Sequence, residues 1–356
     1  MLKKAGMGAV RVYGTIGPAC RDKETLRQMF QEGMDGVRLN LSHTSLEEAS
    51  ALIESLHEAA RECGVSPELL IDMQGPELRI GYLKAPVMLA EGELIEVEDI
   101  PFPEAVKKCL RESGTGQEVL LDDGKILLRT EHSSKLQGNR LRVSRGGFLG
   151  SRKSVALPGC SFRTPAMTEN DRDQLKRAKA YGVTAVMQPF VRSREDLIEV
   201  RNVLDESGCK SVRLLAKIEN RDGITRLREL IPHCDEIVIA RGDLGNAMDL
   251  WELPAAQKYI SAVCREEGRA FMVVTQMLDS MMHRQVPTRA EVSDIFNAVA
   301  DGASSVMVTG ETAAGDYPAL AIRYLYRTVR EAERYRSESL AQILSDYSIS
   351  LLTREE

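Results

Sequence analysis

The segment Arg213–Gly245, RLLAKIENRDGITRLRELIPHCDEIVIARGDLG, holds two short apolar runs, RLLAKI and EIVIA, each giving way to polar and glycine-bearing residues. Outward from it the same kind of run recurs: AVMQPF before it, AFMVVT and SSVMVTG after it, and VRVYG, DGVRLN and LLIDM nearer the N-terminus. Amphipathic segments of helix length accompany these runs, around Glu24–Glu32, Leu46–Cys63, Thr168–Tyr181, Ser193–Asp205, Ala255–Gly268, Arg289–Asp301 and Pro318–Arg334. Such alternation of β and α predicts a parallel sheet. Eight runs is the number that closes a barrel, whereas an open doubly wound sheet stops more often at about five to seven strands. The expected fold is therefore α/β, a (β/α)8 or TIM barrel, carried by residues 1–80 and 158–335.

Between residues 81 and 157 the pattern changes to pieces such as ELIEVEDI, EVLLDDGKILLRT and RLRVSRGGFLG, separated by Gly and Asp turns. These read as short strands of a small β domain inserted after the third barrel strand. An insertion in a βα loop sits over the C-terminal mouth of a barrel, so the expected role is a lid. Residues 336–356 read as one more amphipathic helix, a C-terminal tail.

Composition narrows the function classes. With 356 residues, 43% of them hydrophobic, the chain can bury a large core. Its charge of −6 comes from 47 basic and 53 acidic residues without blocks, which leaves no footprint for nucleic acid or an anionic membrane. Seven scattered cysteines without a CxxC pair indicate neither a disulfide framework nor a zinc site, and fit reduced thiols. The N-terminus lacks an apolar signal region and no stretch reaches bilayer-spanning length, so a cytoplasmic protein is expected.

Polar residues concentrate at the strand ends. In Val37–His43 strict alternation turns Val37, Leu39 and Leu41 toward the helices and Arg38, Asn40 and Ser42 toward the barrel axis. Inward polar groups need partners whatever their role, and they could satisfy one another; their place at a C-terminal strand end favours function. Lys217 and Glu219, two residues apart, share the inward face of their strand. A purely structural ion pair there would be a weak stabiliser that is costly to bury. Asp243, in RGDLG, adds a second carboxylate at the same rim. Two carboxylates suit Mg²⁺, which shares its ligands with water and phosphate oxygens, and the RGDLG glycines let backbone N–H groups face an anion.

The motifs Thr15–Ala19 (TIGPA), Arg38–His43 (RLNLSH), Asp72–Arg79 (DMQGPELR), Ala216–Asn220 (AKIEN), Ala240–Gly245 (ARGDLG), Thr275–Met281 (TQMLDSM), Pro287–Glu291 (PTRAE) and Gly310–Ala313 (GETA) resemble, in order, those of the pyruvate kinase family. Asp122–Gly124 (DDG) and Arg152–Pro158 (RKSVALP) resemble that family's lid domain. The resemblance implies phosphoryl transfer from phosphoenolpyruvate to ADP, or another nucleoside diphosphate, giving pyruvate and ATP with Mg²⁺ (or Mn²⁺) and K⁺. By the same resemblance, Glu219 and Asp243 hold the divalent ion and Lys217 neutralises the phosphoryl group in flight. Asn40, Ser42, Asp72 and the Met73 carbonyl match the potassium site, and Glu77 the residue that accompanies potassium dependence. Arg38, His43, Arg79 and Lys153 match nucleotide-side positions. Thr275 lies where a threonine approaches the methyl carbon of pyruvate, and the Gly242 and Asp243 amides receive the carboxylate.

Some positions depart from the family pattern: Met73-Gln74 replace Thr-Lys, Pro189 a small hydroxyl residue, Thr44 a glycine, and Asn246-Ala247-Met248 replace Val-Glu-Ile. The chain also reads as lacking the family's C-terminal domain, so a homodimer through barrel helices, without sugar-phosphate activation, is expected. Two other readings stand beside this one. A Mg²⁺-dependent pyruvate-enolate lyase or aldolase is disfavoured by Arg79, Lys153 and the lid, and a non-catalytic metabolite-binding paralogue by Lys217, Glu219 and Asp243.

Overall fold

The computed structural model describes residues 8–132, 139–160, 162 and 164–337. Each of the eight apolar runs forms one barrel strand: β1 (Arg11–Thr15), β2 (Gly36–Asn40), β3 (Glu68–Asp72), β4 (Ala185–Gln188), β5 (Arg213–Ile218), β6 (Glu236–Ala240), β7 (Ala270–Val274) and β8 (Ser305–Val308). Every neighbouring pair is parallel, and β1 closes on β8 with Arg11 opposite Ser305 and Tyr13 opposite Met307.

The period of two along each strand divides the core into two layers. Tyr13, Leu70, Met187, Leu215, Val238 and Met272 fill the barrel interior, while their neighbours Val12, Leu69, Val186, Leu214, Ile237 and Phe271 pack outward among the helices. At the N-terminal end the barrel is plugged by charge. Arg213 bonds Glu68 and Glu236, Arg11 pairs with both, and Glu236 also accepts the hydroxyls of Ser304 and Ser305. Two guanidinium groups against two carboxylates leave no net charge, and conserving stability rather than chemistry is the usual task of that face.

Most expected helices form, with shifted ends. The segment from Leu46 becomes helical only over Ser50–Cys63, because Ser45 and Glu48 first close a turn on each other's backbone N–H groups (2.9 and 3.2 Å). After β5, where no helix was expected, two short ones occur, Arg221–Thr225 and Leu227–Leu230; the Asn220 side chain caps the first by accepting Gly223 N–H at 2.7 Å.

The segment after β3 builds its own layer. Strands Val155–Ala156, Glu118–Leu121, Ile126–His132, Asn139–Arg145 and Leu94–Glu96 form one antiparallel sheet in that spatial order, and Val87–Leu89 pairs with Gly147–Leu149. A helix, Glu104–Glu112, lies among these strands, which the reading as short β pieces did not anticipate; it buries Val106 and Leu110. A separate hydrophobic cluster runs from Ile80 to Leu157. Of the expected C-terminal tail, residues 336 and 337 end the helix Pro318–Ser337, and the remainder lies outside the described residues. Among the described residues no helix is long and apolar enough to cross a membrane.

Candidate active site

Parallel register brings polar strand ends from distant parts of the chain to one rim. Pairing of β2 with β3 sets Asn40 opposite Asp72, and Arg38, two residues back on the same face of β2, reaches the same carboxylate. Its Nε and Nη2 both donate to Asp72 Oδ2, at 2.9 and 2.7 Å, while Nη1 donates to Thr15 Oγ1 at 3.2 Å. Lys217 Nζ, from β5, lies 3.2 Å from Asp72 Oδ2 and 3.0 Å from Glu219 Oε1. The lysine is thus suspended between two acids, its side chain only 12% exposed. Burial works to discharge Lys217, but the Asp72 and Glu219 carboxylates outweigh it and hold the ammonium well above its ordinary pKa. Burial likewise opposes the charge on Asp72, and there Lys217 and Arg38 prevail, so its pKa falls.

Glu219 behaves differently. It is 2% exposed, and burial pushes its carboxyl up to about 7 despite Lys217, aided by the nearby charge of Asp243. Asp243 is raised as well, first by burial and then, against Lys217, by the negative charges of Glu77 and Asp123. Two adjacent acids with raised affinity for protons form a pair that binds a positive charge readily. One further detail points to a cation. Glu219 Oε2 accepts Phe190 N–H at 2.8 Å, whereas the buried Oε1 receives no aligned hydrogen bond although the lysine charge is near. An underused buried carboxylate oxygen beside a second carboxylate fits a divalent ion whose other ligands come from water and substrate. Among the described residues no group of three or more His, Cys, Asp or Glu has metal-holding geometry, so a site here would rest on this pair.

A cavity of about 980 Å³ opens at the C-terminal mouth, and Arg38, Asn40, His43, Asp72, Lys217, Glu219, Asp243 and Thr275 all line it. A smaller cleft of about 260 Å³ runs between lid and barrel past Glu77, Asp123 and Arg192, and shares Glu219 and Asp243 with the larger one. The acid pair therefore stands where the two spaces meet. Gly242 lies against Thr275: a Cβ there would come within 3.0 Å of Thr275 Cγ2.

Other residues picked out from the sequence are placed differently. Ser42 N–H donates to Asn40 Oδ1 at 3.1 Å and Met73 N–H to the Met187 carbonyl at 3.2 Å, and neither residue borders the mouth cavity. Arg79 pairs with Glu77 at 2.5 Å and donates to the Arg152 carbonyl, and Lys153 pairs with Asp122 at 2.7 Å. Both basic groups are thus turned onto lid and linker partners instead of the cavity.

Two positioning residues escaped the sequence reading. Asp171, wholly buried, accepts the N–H groups of Gln74 (2.8 Å), Gly75 (3.0 Å) and Thr168 (2.9 Å), so it holds the turn that carries Met73 into the lid. Arg192 donates to the Phe162 and Thr164 carbonyls at 2.9 and 2.7 Å, pinning the chain where it returns from the lid. The Thr168-x-x-Asp171 spacing was a legible capping signal; nothing local announced Arg192.

The fold and site define a lidded (β/α)8 barrel with an acid–lysine cluster at the C-terminal mouth, the face on which barrel enzymes carry their active sites. Residues 7–322 match the family model described as pyruvate kinase, barrel domain. The chain is 34% identical over 333 residues to pyruvate kinase of Geobacillus stearothermophilus, covering 91% of this chain and 57% of that protein. It is 37% identical over 333 residues to pyruvate kinase of Methylorubrum extorquens (91% of this chain, 68% of that protein) and 36% over 324 residues to that of Aeropyrum pernix (89% and 69%). The chain belongs to the pyruvate kinase family, and it spans between one half and two thirds of the length of the Geobacillus relative.

Proposed function

We propose that the chain transfers the phosphoryl group of phosphoenolpyruvate to ADP, or another nucleoside diphosphate, giving pyruvate and ATP. The observation that carries this is Lys217, an ammonium held charged between Asp72 and Glu219 with Asp243 beside it, all lining one cavity. Phosphoryl transfer asks little covalent chemistry of a protein; it needs positioning and positive charge near the equatorial oxygens. A Mg²⁺ or Mn²⁺ ion held by Glu219 and Asp243 would supply Lewis acidity toward the phosphoryl and enolate oxygens.

The chain's own groups do the rest. Lys217 Nζ offsets the charge of the group in flight. Arg38, fixed by two bonds to Asp72, keeps that acid ionised and presents its guanidinium to the same cavity. The Gly242 and Asp243 amides receive the substrate carboxylate, and Thr275 is placed at the carbon that gains a proton. His43 stands on the nucleotide side of the mouth, while Arg79 and Lys153 come to the nucleotide once the lid releases them from Glu77 and Asp122. Asn40, Ser42, Asp72 and the Met73 carbonyl, with Glu77 nearby, would hold K⁺, which would add positive charge beside the acids of the mouth. The Arg79 and Lys153 pairings also favour a second reading, enolate chemistry on pyruvate without a nucleotide. We further read the protein as a cytoplasmic homodimer, in keeping with the exposed Leu250 and Trp251 on the barrel surface.

A coupled assay for pyruvate from phosphoenolpyruvate, with and without ADP, Mg²⁺ and K⁺, tests the proposal. Pyruvate formed only when both ADP and the divalent ion are present supports it. Absence of turnover under every combination, or turnover indifferent to nucleotide, refutes it.

A further inference from the structure

Past Val274, at the end of β7, the backbone passes through two consecutive left-handed residues, Thr275 (φ 77°) and Gln276 (φ 53°). That region disfavours any residue with a Cβ, and a β-branched one most of all. Such a conformation persists only where its surroundings hold it, and it is typical of functional sites.

Arg241 provides the hold. Its Nε and Nη2 donate to the Thr275 carbonyl at 3.1 and 2.8 Å, and Nη2 reaches the Gln276 carbonyl at 3.2 Å. Nη1 is anchored on Asp294 at 2.5 Å, in the outer helix Arg289–Ala300. The side chain is 10% exposed and does not line the mouth cavity, so its donors serve the protein. On its other side Thr275 packs its methyl over the bare Cα of Gly242. The Arg241-Gly242 dipeptide therefore grips Thr275 twice, by a guanidinium fork on the carbonyl and by a close floor beneath the methyl, where a Cβ on Gly242 would press on Thr275 Cγ2 at 3.0 Å.

We propose that Arg241, braced by Asp294, is the positioning residue for Thr275: its fork maintains a strained left-handed turn that aims the Thr275 side chain into the mouth cavity. The kinetic part of this proposal rests on the phosphotransfer reading; the conformational part does not. Glycine adopts φ near 53° without a Cβ penalty, so Gln276→Gly should make the turn less dependent on the clamp.

The experiment is a double-mutant cycle of Arg241→Gln and Gln276→Gly, read by melting temperature and by kcat and KM. Arg241→Gln is expected to lower kcat by about tenfold to a hundredfold, as misplacing a reacting group does, with the KM for ADP unchanged, and to lower the melting temperature. Gln276→Gly alone retains wild-type turnover; in the double variant it restores kcat several-fold and recovers part of the lost melting temperature. Asp294→Asn, a gentler loosening of the same clamp, should show the same rescue and serves if Arg241→Gln does not fold. Losses that add without coupling overturn the proposal, as does a defect confined to the KM for phosphoenolpyruvate, which would make Arg241 a substrate contact. Rescue of stability without rescue of kcat overturns the positioning of Thr275. If the wild type has no phosphotransferase activity, the function assigned above fails, and coupling in melting temperature still decides whether the clamp exists.

Discussion

Replacing Lys217 by Met removes the charge that two buried acids share, and the acids respond unequally. Asp72 keeps Arg38, bound through two hydrogen bonds of 2.9 and 2.7 Å. Glu219 loses the ammonium 3.0 Å from its Oε1 and retains only the Phe190 N–H, with Asp243 alongside. Breaking a buried pair and leaving a charge behind costs about 3–5 kcal/mol, and Glu219 escapes part of this by keeping its proton. In the wild type burial already lifts this carboxyl from 4.5 to about 7. A raised folded-state pKa contributes stability that is complete below pH 4.5 and is lost as the pH climbs through about 7. At about 1.4 kcal/mol per pH unit, that rise corresponds to about 3 kcal/mol. Without Lys217 the carboxyl moves higher still, so the variant should nearly match the wild type at pH 5 and, because the wild type stops losing stability once the pH passes about 7, fall behind it by up to about 1.4 kcal/mol at pH 8. Urea unfolding in EDTA across this range measures the gap. In the coupled assay with Mg²⁺, turnover should fall by about 10²- to 10³-fold, the loss typical of a donor aimed at developing charge. Equal stability of the two proteins at pH 8, or wild-type turnover in the variant, would refute the reasoning.

Gly75→Ala introduces a Cβ 2.2 Å from Pro189 Cγ at a residue with φ 64°, which should cost about 2–4 kcal/mol in urea unfolding; adding Pro189→Ala should recover the overlap part and leave the backbone part, and no recovery would show that Pro189 is not the obstacle. Replacing Na⁺ by K⁺ at constant ionic strength should raise turnover several-fold through Asn40, Ser42, Asp72 and Met73, with ionic strength held fixed because screening imitates an ion effect; equal rates in the two salts would remove the potassium site. Light scattering should give twice the chain mass, and Trp251→Glu, at a side chain 79% exposed, should shift it toward one; an unchanged mass would place the contact elsewhere or nowhere.

What the sequence determined by itself lay within single strands and single turns. Eight apolar runs became eight strands because burying one strand on both faces imposes a pattern only a few residues long. Lys217 and Glu219 could be set on one face for the same reason, a period of two that needs no partner to be read. The helix Glu104–Glu112 carried a signal of the same kind, Val106 and Leu110 four apart, and was passed over in the surrounding β-like text. The helices after Asn220 are too short to show any period at all. Tertiary structure decided which ends meet: Arg38 and Lys217 converge on Asp72 because β2, β3, β4 and β5 pair in one register around a closed barrel. It also decided that Arg79 and Lys153 bond Glu77 and Asp122, that Arg192 pins the lid's return, and that Arg241 clamps Thr275. Those contacts join residues up to 145 positions apart, and nothing in the chemistry of either partner alone specifies the distance between them. Periodicity is a property of neighbouring residues and survives in the sequence, whereas a contact across the barrel exists only once the register and the loops have been settled together.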